Sequence, residues 1–352
     1  MGAGVSREAR RSGRKGHGAG KTVWGLLWGL LAFQTARMAL LVALVSILAF
    51  VLLSVSPVDP LQTNVGQAAL GAMSPEQVER LKGYWGVDLP PAERYLSWAA
   101  DVLRGDLGTS LLYRRPVAEV IWEKLSNSLW LLASSWLLSG LLGFILGVLA
   151  GRKRGGICDR LVTGYSLLAA STPAFWTAMV LLMVFAVYFK WFPIGLSVPI
   201  GITAEEIAIG DRIRHAVLPA AALSLTGISS VALHTREKMV SIMESDFVLF
   251  ARARGESETS IVLRHGLRNV LIPAMTLQFA SVSEIIGGSV LVEQVFSYPG
   301  LGQAAVTAGL GSDVPLLLGI TVVTAVLAAS GNLAASVLYG IVDPRIRKGA
   351  AR

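Results

Sequence analysis

Four histidines, one cysteine and one Gly-rich lysine stretch are the residues here whose types could hold a metal or a phosphate. Their spacing fits neither. His17, His215, His234 and His265 lie too far apart to suggest a ligand triad, and Cys158 has no second cysteine to pair with. His265 stands beside Arg264 and Arg268 as a solvated loop residue, and His234 reads as a satisfied interfacial group. The stretch Gly16-His-Gly-Ala-Gly20-Lys21-Thr22 ends like a phosphate-binding loop, which needs four residues between its glycines on a strand-to-helix turn. Here three intervene, Lys15 occupies the position of the required glycine, and no strand precedes it. No HExxH or GxSxG pattern occurs. No catalytic residue and no metal site are assigned, and the chain is read as not an enzyme.

Two features keep chemical meaning. Glu284 falls near the middle of an apolar run, where an ionised side chain costs at least ~3 kcal/mol. Such a group faces a cavity or a partner, or is buried and hydrogen-bonded; the sequence leaves both open. Glu293, further along the same run, is expected to be exposed near an interface. The second feature is residues 244–273, a basic, helix-forming passage between two apolar runs. Ser245 and Asp246 suit the start of a helix reaching Arg254, and Gly255 can take the left-handed conformation that stops it. Ser257 then caps a second helix with Leu263, Leu267, Val270 and Leu271 on one face. Two short helices broken at a glycine can present a knob. Phe250 would be its apolar plug, Ala251, Ala253 and Gly255 its close-approach positions, and Arg252 and Arg254 its charge. The alternative is an amphipathic loop lying on anionic lipid.

The elements that must position these residues are membrane spans. Of 352 residues 53% are hydrophobic and 15% charged, against about a quarter charged in soluble domains. Several apolar runs exceed the roughly 20 residues that cross a bilayer. The fold class is therefore an all-α polytopic membrane protein with about six spans: 38–56, 128–150, 163–189, 216–236, 273–295 and 315–340. Around them lie a basic tail at 1–22, an interfacial helix at 23–37 and a small extracytoplasmic cap at 57–127. The core, 128–343, contains a cytoplasmic loop at 237–272 and is followed by a tail at 344–352. Within the cap, Ser74-Pro-Glu-Gln77 is a capping box, Gly105-Asp-Leu-Gly108 a turn, and a short helix is expected from Pro116 through Glu123. Gly143, Gly147 and Gly151 at four-residue spacing predict close helix packing, and Pro173 a kink. The net charge of +8 is concentrated in short loops beside the spans. By the positive-inside rule, both termini and the central loop are cytoplasmic, and nucleic acid is not implied.

Ala251-Arg-Ala-Arg-Gly255, followed by Leu263-Arg-His-Gly-Leu-Arg-Asn-Val-Leu-Ile-Pro273, resembles the cytoplasmic loop of inner-membrane permeases in binding-protein-dependent ABC importers, in their dipeptide, oligopeptide and nickel branch. Gly105-Asp-Leu-Gly108, Arg115-Pro-Val117, Ser171-Thr-Pro-Ala-Phe-Trp176, Gly287-Gly288, Glu293, Phe296-Ser-Tyr-Pro-Gly-Leu-Gly302 and Asp343-Pro-Arg-Ile-Arg347 extend the resemblance from about residue 37 to 347. It departs at Leu249-Phe250-Ala251, where the family has Glu-Ala-Ala, so contacts of that glutamate do not carry over. The resemblance implies a type I importer permease fold in the cell membrane. It also implies a second permease, identical or related, two ABC ATPase subunits beneath and an extracytoplasmic solute-binding protein above. ATP and Mg would then be bound by the ATPases, with no cofactor on this chain. Phe250 to Gly255 would seat in the ATPase, and Glu284 would line the translocation pathway. Peptides or a nickel chelate are the implied cargo. The competing reading is a stand-alone ion-coupled transporter using Glu284.

Overall fold

The computed structural model describes residues 18–55, 67–84, 90–197 and 208–342. In chain order the helices are α1 (Gly18–Val55), α2 (Gln67–Ala72), α3 (Pro75–Tyr84), α4 (Pro91–Leu103), α5 (Val117–Gly151), α6 (Ile157–Ala170) and α7 (Ala174–Leu181). There follow α8 (Ile209–Met243), α9 (Asp246–Ala253), α10 (Glu258–Ile261), α11 (Leu267–Ala280), α12 (Val282–Val295), α13 (Leu301–Leu310) and α14 (Val314–Val342). Wider π-helical turns, Leu182–Tyr188 and Val262–Gly266, prolong α7 and join α10 to α11.

Four helical stretches are long and apolar enough to cross a bilayer: Ala32–Val55 of α1, α5, α8 and Val314–Leu338 of α14. Two bent pairs complete the six. The first, Ile157–Ala170 with Ala174–Tyr188, turns through 104°, and the second, Glu258–Ala280 with Val282–Val295, through 45°. The first break is sharper than a proline kink. Pro173 is extended (φ −62°, ψ 141°) and precedes α7, so the helix ends rather than bends. A proline also keeps its predecessor, Thr172, out of the helical region.

Several boundaries differ from expectation. No interfacial helix at 23–37 precedes a separate first span. Gly18–Val55 is one helix of 38 residues, about 57 Å long, because Val23 to Val55 contains no proline to interrupt it. Residues 18–22 of the expected tail are its first turn, and 1–17 lie outside the described residues. The short helix expected from Pro116 is fused to the second span as the 35-residue α5. The loop placed at 237–272 is shorter: α8 runs to Met243, and Glu258 already opens the next bent pair. Pro273 lies inside α11 rather than at its edge. The tail at 344–352 and the Asp343–Arg347 motif lie outside the described residues.

The centre of the bundle is α5 against α8. A Cβ at Gly143 would stand 2.7 Å from the Val231 Cβ, one at Gly147 2.5 Å from the Thr235 Cβ, and one at Gly151 2.5 Å from the Met239 Cβ. Each glycine therefore lets one backbone seat against the other. The spacing expected to mean helix packing means that. Both series rise together, so the two helices are parallel. Around this pair, α1 packs on α14, with the Gln34 amide 3.4 Å from the Ser336 hydroxyl. In the cap, Ser74 and Gln77 form the reciprocal capping box (2.9 and 3.3 Å). Gly105 and Gly108 both have positive φ (90° and 80°), as the expected turn requires. Helix α4 docks on α1 through Tyr95, whose hydroxyl lies 2.8 Å from that of Ser46 and whose ring meets Phe50 edge-on.

Candidate functional site

The knob between α8 and α11 is built from an apolar floor upward. Met239 and Met243 of α8, Val248 and Ala251 of α9, Ile261 of α10 and Val270 of α11 form one buried cluster. Helix α9 lies across this floor and shows its other face outward. Gly255 has φ +81° with open space around it, which ends α9 as expected. Ser257 accepts a hydrogen bond from the Ser260 backbone N–H (3.3 Å) and caps α10. Arg252 reaches across the break and donates to both Glu258 oxygens (2.7 and 3.2 Å), which holds its guanidinium above the ordinary value and fixes the angle between the pieces. His265 Nε2 lies 3.4 Å from Glu256, closing the loop from the other side.

The expected site residues divide. Phe250 is 70% exposed, and Arg252, Ala253, Arg254 and Gly255 are also on the surface. Ala251 is 5% exposed and belongs to the floor, so it is removed from the contact face. Leu249, 65% exposed beside Phe250, joins that face instead. The expected stripe Leu263, Leu267, Val270 and Leu271 is split, with Val270 buried and Leu263 and Leu271 exposed. The π-helical turn at Val262–Gly266 supplies part of the reason. Its wider i to i+5 spacing rotates the turns after it and so parts Leu263 from Val270, while Leu271, the next residue of the regular helix Leu267–Ala280, lies about 100° round from Val270.

The knob is tied to the bundle by a pair the sequence did not signal. Asp159 of α6 is 4% exposed and accepts two hydrogen bonds from Arg236 of α8, that from Nη2 at 2.9 Å. The Gly155 backbone N–H donates to the same carboxylate (2.8 Å). Beside it Arg154 pairs with Glu244 at 3.1 Å. These contacts close the 152–156 turn against the last turns of α8.

Glu284 sits in the first turn of α12, directly after the 45° break, and is exposed on the chain. Gly287 and Leu291 continue the same outward face, and a Cβ at Gly287 would meet nothing within 4 Å. The break is pinned on both sides. Gln278 donates to the Trp136 carbonyl (2.6 Å), while Asn332 donates to Ser283 (3.1 Å) and Ser283 to the Ala328 carbonyl (3.1 Å).

At the opposite end two carboxylates organise the loops, and the first corrects an expectation. Glu293 is not exposed. It is fully buried and accepts from the Ser128 hydroxyl (2.7 Å) and the backbone N–H groups of Gly302 (2.7 Å) and Gln303 (3.1 Å). It thereby folds the Ser297–Gly300 turn back over α5. Asp313 is likewise fully buried, accepting from the Ser110 hydroxyl (2.5 Å) and the backbone N–H groups of Leu112 (3.0 Å) and Leu316 (3.2 Å). Tyr298, buried beside Glu293, has its hydroxyl pushed up to about 12 by burial and then by that neighbouring charge. Two further histidines bond backbone carbonyls. His215 Nδ1 donates to the Gly195 carbonyl and His234 Nδ1 to that of Ser230, both at 3.0 Å. No group of three or more His, Cys, Asp or Glu among the described residues could hold a metal.

Residues 143–348 match the family of binding-protein-dependent transport system inner membrane components. The chain is 35% identical over 303 residues to an oligopeptide transport system permease protein of Bacillus subtilis, covering 86% of this chain and 94% of that one. It is 34% identical over 322 residues to a peptide transport system permease protein of Brucella melitensis described as putative, covering 92% and 99%. A di/tripeptide transport system permease protein of Pseudomonas aeruginosa is 31% identical over 337 residues, covering 90% and 99%.

Proposed function

The chain belongs to the inner-membrane components of binding-protein-dependent transport systems, and from that premise we propose that it is the permease subunit of an ATP-driven peptide importer. The observation that carries the reading is the coincidence of near full-length similarity to three peptide permeases with a polar, surface-borne knob at the α8–α11 junction. A separate ATPase grips that knob through Leu249, Phe250, Arg252, Ala253, Arg254 and Gly255. Two ATPase subunits, a second permease and an extracytoplasmic binding protein complete the assembly in the cell membrane. ATP and Mg reside on the ATPases. The basic knob end is cytoplasmic, as the positive-inside rule expects, and the Glu293–Asp313 end faces the binding protein.

Movement follows from the parts. ATP-driven closure displaces the knob, whose floor contains Met239 of α8, and α8 carries α5 with it. The 45° break between α11 and α12 is where the fifth span changes angle. Glu284, exposed beside that break without an ion-pair partner among the described residues, faces the translocation pathway. Lipid there would impose the cost of an ionised group in hydrocarbon. No observation favours nickel over peptide cargo, and none favours the ion-coupled alternative.

Uptake of a radiolabelled tripeptide, in cells whose only peptide importer contains this chain, tests the reading. Uptake is expected to vanish when the partner ATPase is inactivated. Persistence without ATP hydrolysis would sink the proposal.

A further inference from the structure

At the end of the bundle opposite the knob, the π-helical turn after α7 and the start of α8 enclose an open cleft of about 890 Å³. Leu182, Ala186 and Val187 wall it below and Lys190 stands at its mouth. Lys190 is held in the left-handed region (φ 58°). Phe189 and Trp191 stack at 4.7 Å and Tyr188 meets Phe189 at 5.1 Å, an aromatic group of the kind that marks a membrane–water interface. Arg214 does not line the cleft but stands at its edge, its guanidinium donating at 3.2 Å to the carbonyl of Trp191, the neighbour of Lys190. Among the described residues neither cation is paired with a carboxylate. The positive-inside rule places excess cations at the knob end, so topology does not account for two at this one.

We propose that this cleft binds an anionic phospholipid of the leaflet opposite the knob. The phosphate lies between Lys190 and Arg214, and an acyl chain descends along Leu182, Ala186 and Val187. An amphiphile is required because the cleft is apolar below and cationic only at its mouth, at the height of the aromatic group. Net negative charge is preferred because, among the described residues, neither cation is already paired with a carboxylate. Basic pockets between spanning helices take phospholipid headgroups by this complementarity.

The test is native mass spectrometry of the full-length chain, purified with the subunits that accompany it, after addition of phosphatidylglycerol or phosphatidylethanolamine. Selective retention of phosphatidylglycerol is expected. Lys190→Gln combined with Arg214→Gln should weaken that retention by about tenfold. Val187→Trp, a change at an exposed position on the wall, should reduce retention of both lipids while leaving the cations in place. Melting of each variant without added lipid reports whether it is folded, and the comparison of headgroups on the unaltered chain needs no variant. Equal retention of the two lipids, or undiminished binding in folded variants, would overturn the proposal. So would displacement of phosphatidylglycerol by a tripeptide, which would make the cleft a cargo site.

Discussion

Glu293 and Ser128, 165 residues apart in sequence, meet at 2.7 Å in the interior of the end opposite the knob, where the same carboxylate also gathers two backbone N–H groups. The contact fixes the Ser297–Gly300 turn to α5. Removing the acceptor strands three buried donors, and each unpaired buried group costs about 1–3 kcal/mol. Glu293→Ala should therefore lower stability by ~3 kcal/mol or more, with Glu293→Gln intermediate because its amide keeps one accepting oxygen. Thermal melting of the purified chain checks the order; a Glu293→Ala variant melting with the parent would show that the turn holds without it.

A second expectation concerns Asp159 and Arg236. Removing one member of a buried ion pair typically costs about 3–5 kcal/mol, because the other charge stays behind unpaired. Since Arg236 is 24% exposed at its side chain, Asp159→Asn should fall below that range, at ~2 kcal/mol. Denaturant melts read the loss. Arg154→Gln, which breaks only the exposed pair with Glu244, should cost less than ~1 kcal/mol.

The glycine ladder predicts a contrast between positions. Gly147→Ala places a methyl 2.7 Å from the Ala232 carbonyl and 2.5 Å from the Thr235 Cβ, so α5 and α8 must separate. Overpacking of this kind costs about 1–3 kcal/mol. Gly164→Ala, in open space on α6, should be neutral or mildly stabilising, since alanine favours helix. Comparable melting of the two variants would contradict the packing described.

At the knob, stability and coupling should come apart. Phe250→Ala alters a side chain that is 70% exposed, so melting should hold while peptide uptake and ATPase stimulation fall together. Ala251→Leu, by contrast, drives bulk into the buried floor and should destabilise the chain by ~1–3 kcal/mol. Gly255→Val forces a β-branched residue to φ +81°, a strain of about 1–2 kcal/mol, and should impair coupling more than melting. Full ATPase stimulation in both Phe250→Ala and Gly255→Val would place the docking surface elsewhere.

What the sequence makes legible is local. The Ser74–Gln77 box, the Gly255 stop, the Ser257 cap and the four-residue glycine spacing each carry their meaning within a few positions. The Glu293–Ser128, Asp313–Ser110 and Arg236–Asp159 contacts join residues 165, 203 and 77 positions apart. No periodicity announces such partners, which is why sequence reasoning puts Glu293 on the surface. Leu263 parts from Val270 for a different reason. The stripe assumes 3.6 residues per turn, and the π-helical turn at Val262–Gly266 breaks that count between them.

The interlock of Gly143, Gly147 and Gly151 with Val231, Thr235 and Met239 also acts as a detent. Sliding α8 along α5 would bring each side chain against the backbone between glycines, and relief returns only after four residues, about 6 Å. Smaller displacements are resisted, so the two helices transmit a push as a single rod rather than absorbing it by slippage. Met239 stands both in the knob's floor and in the last notch of the rod. A displacement imposed at the knob would therefore be passed along the pair toward the far end of α5, ~30 Å away.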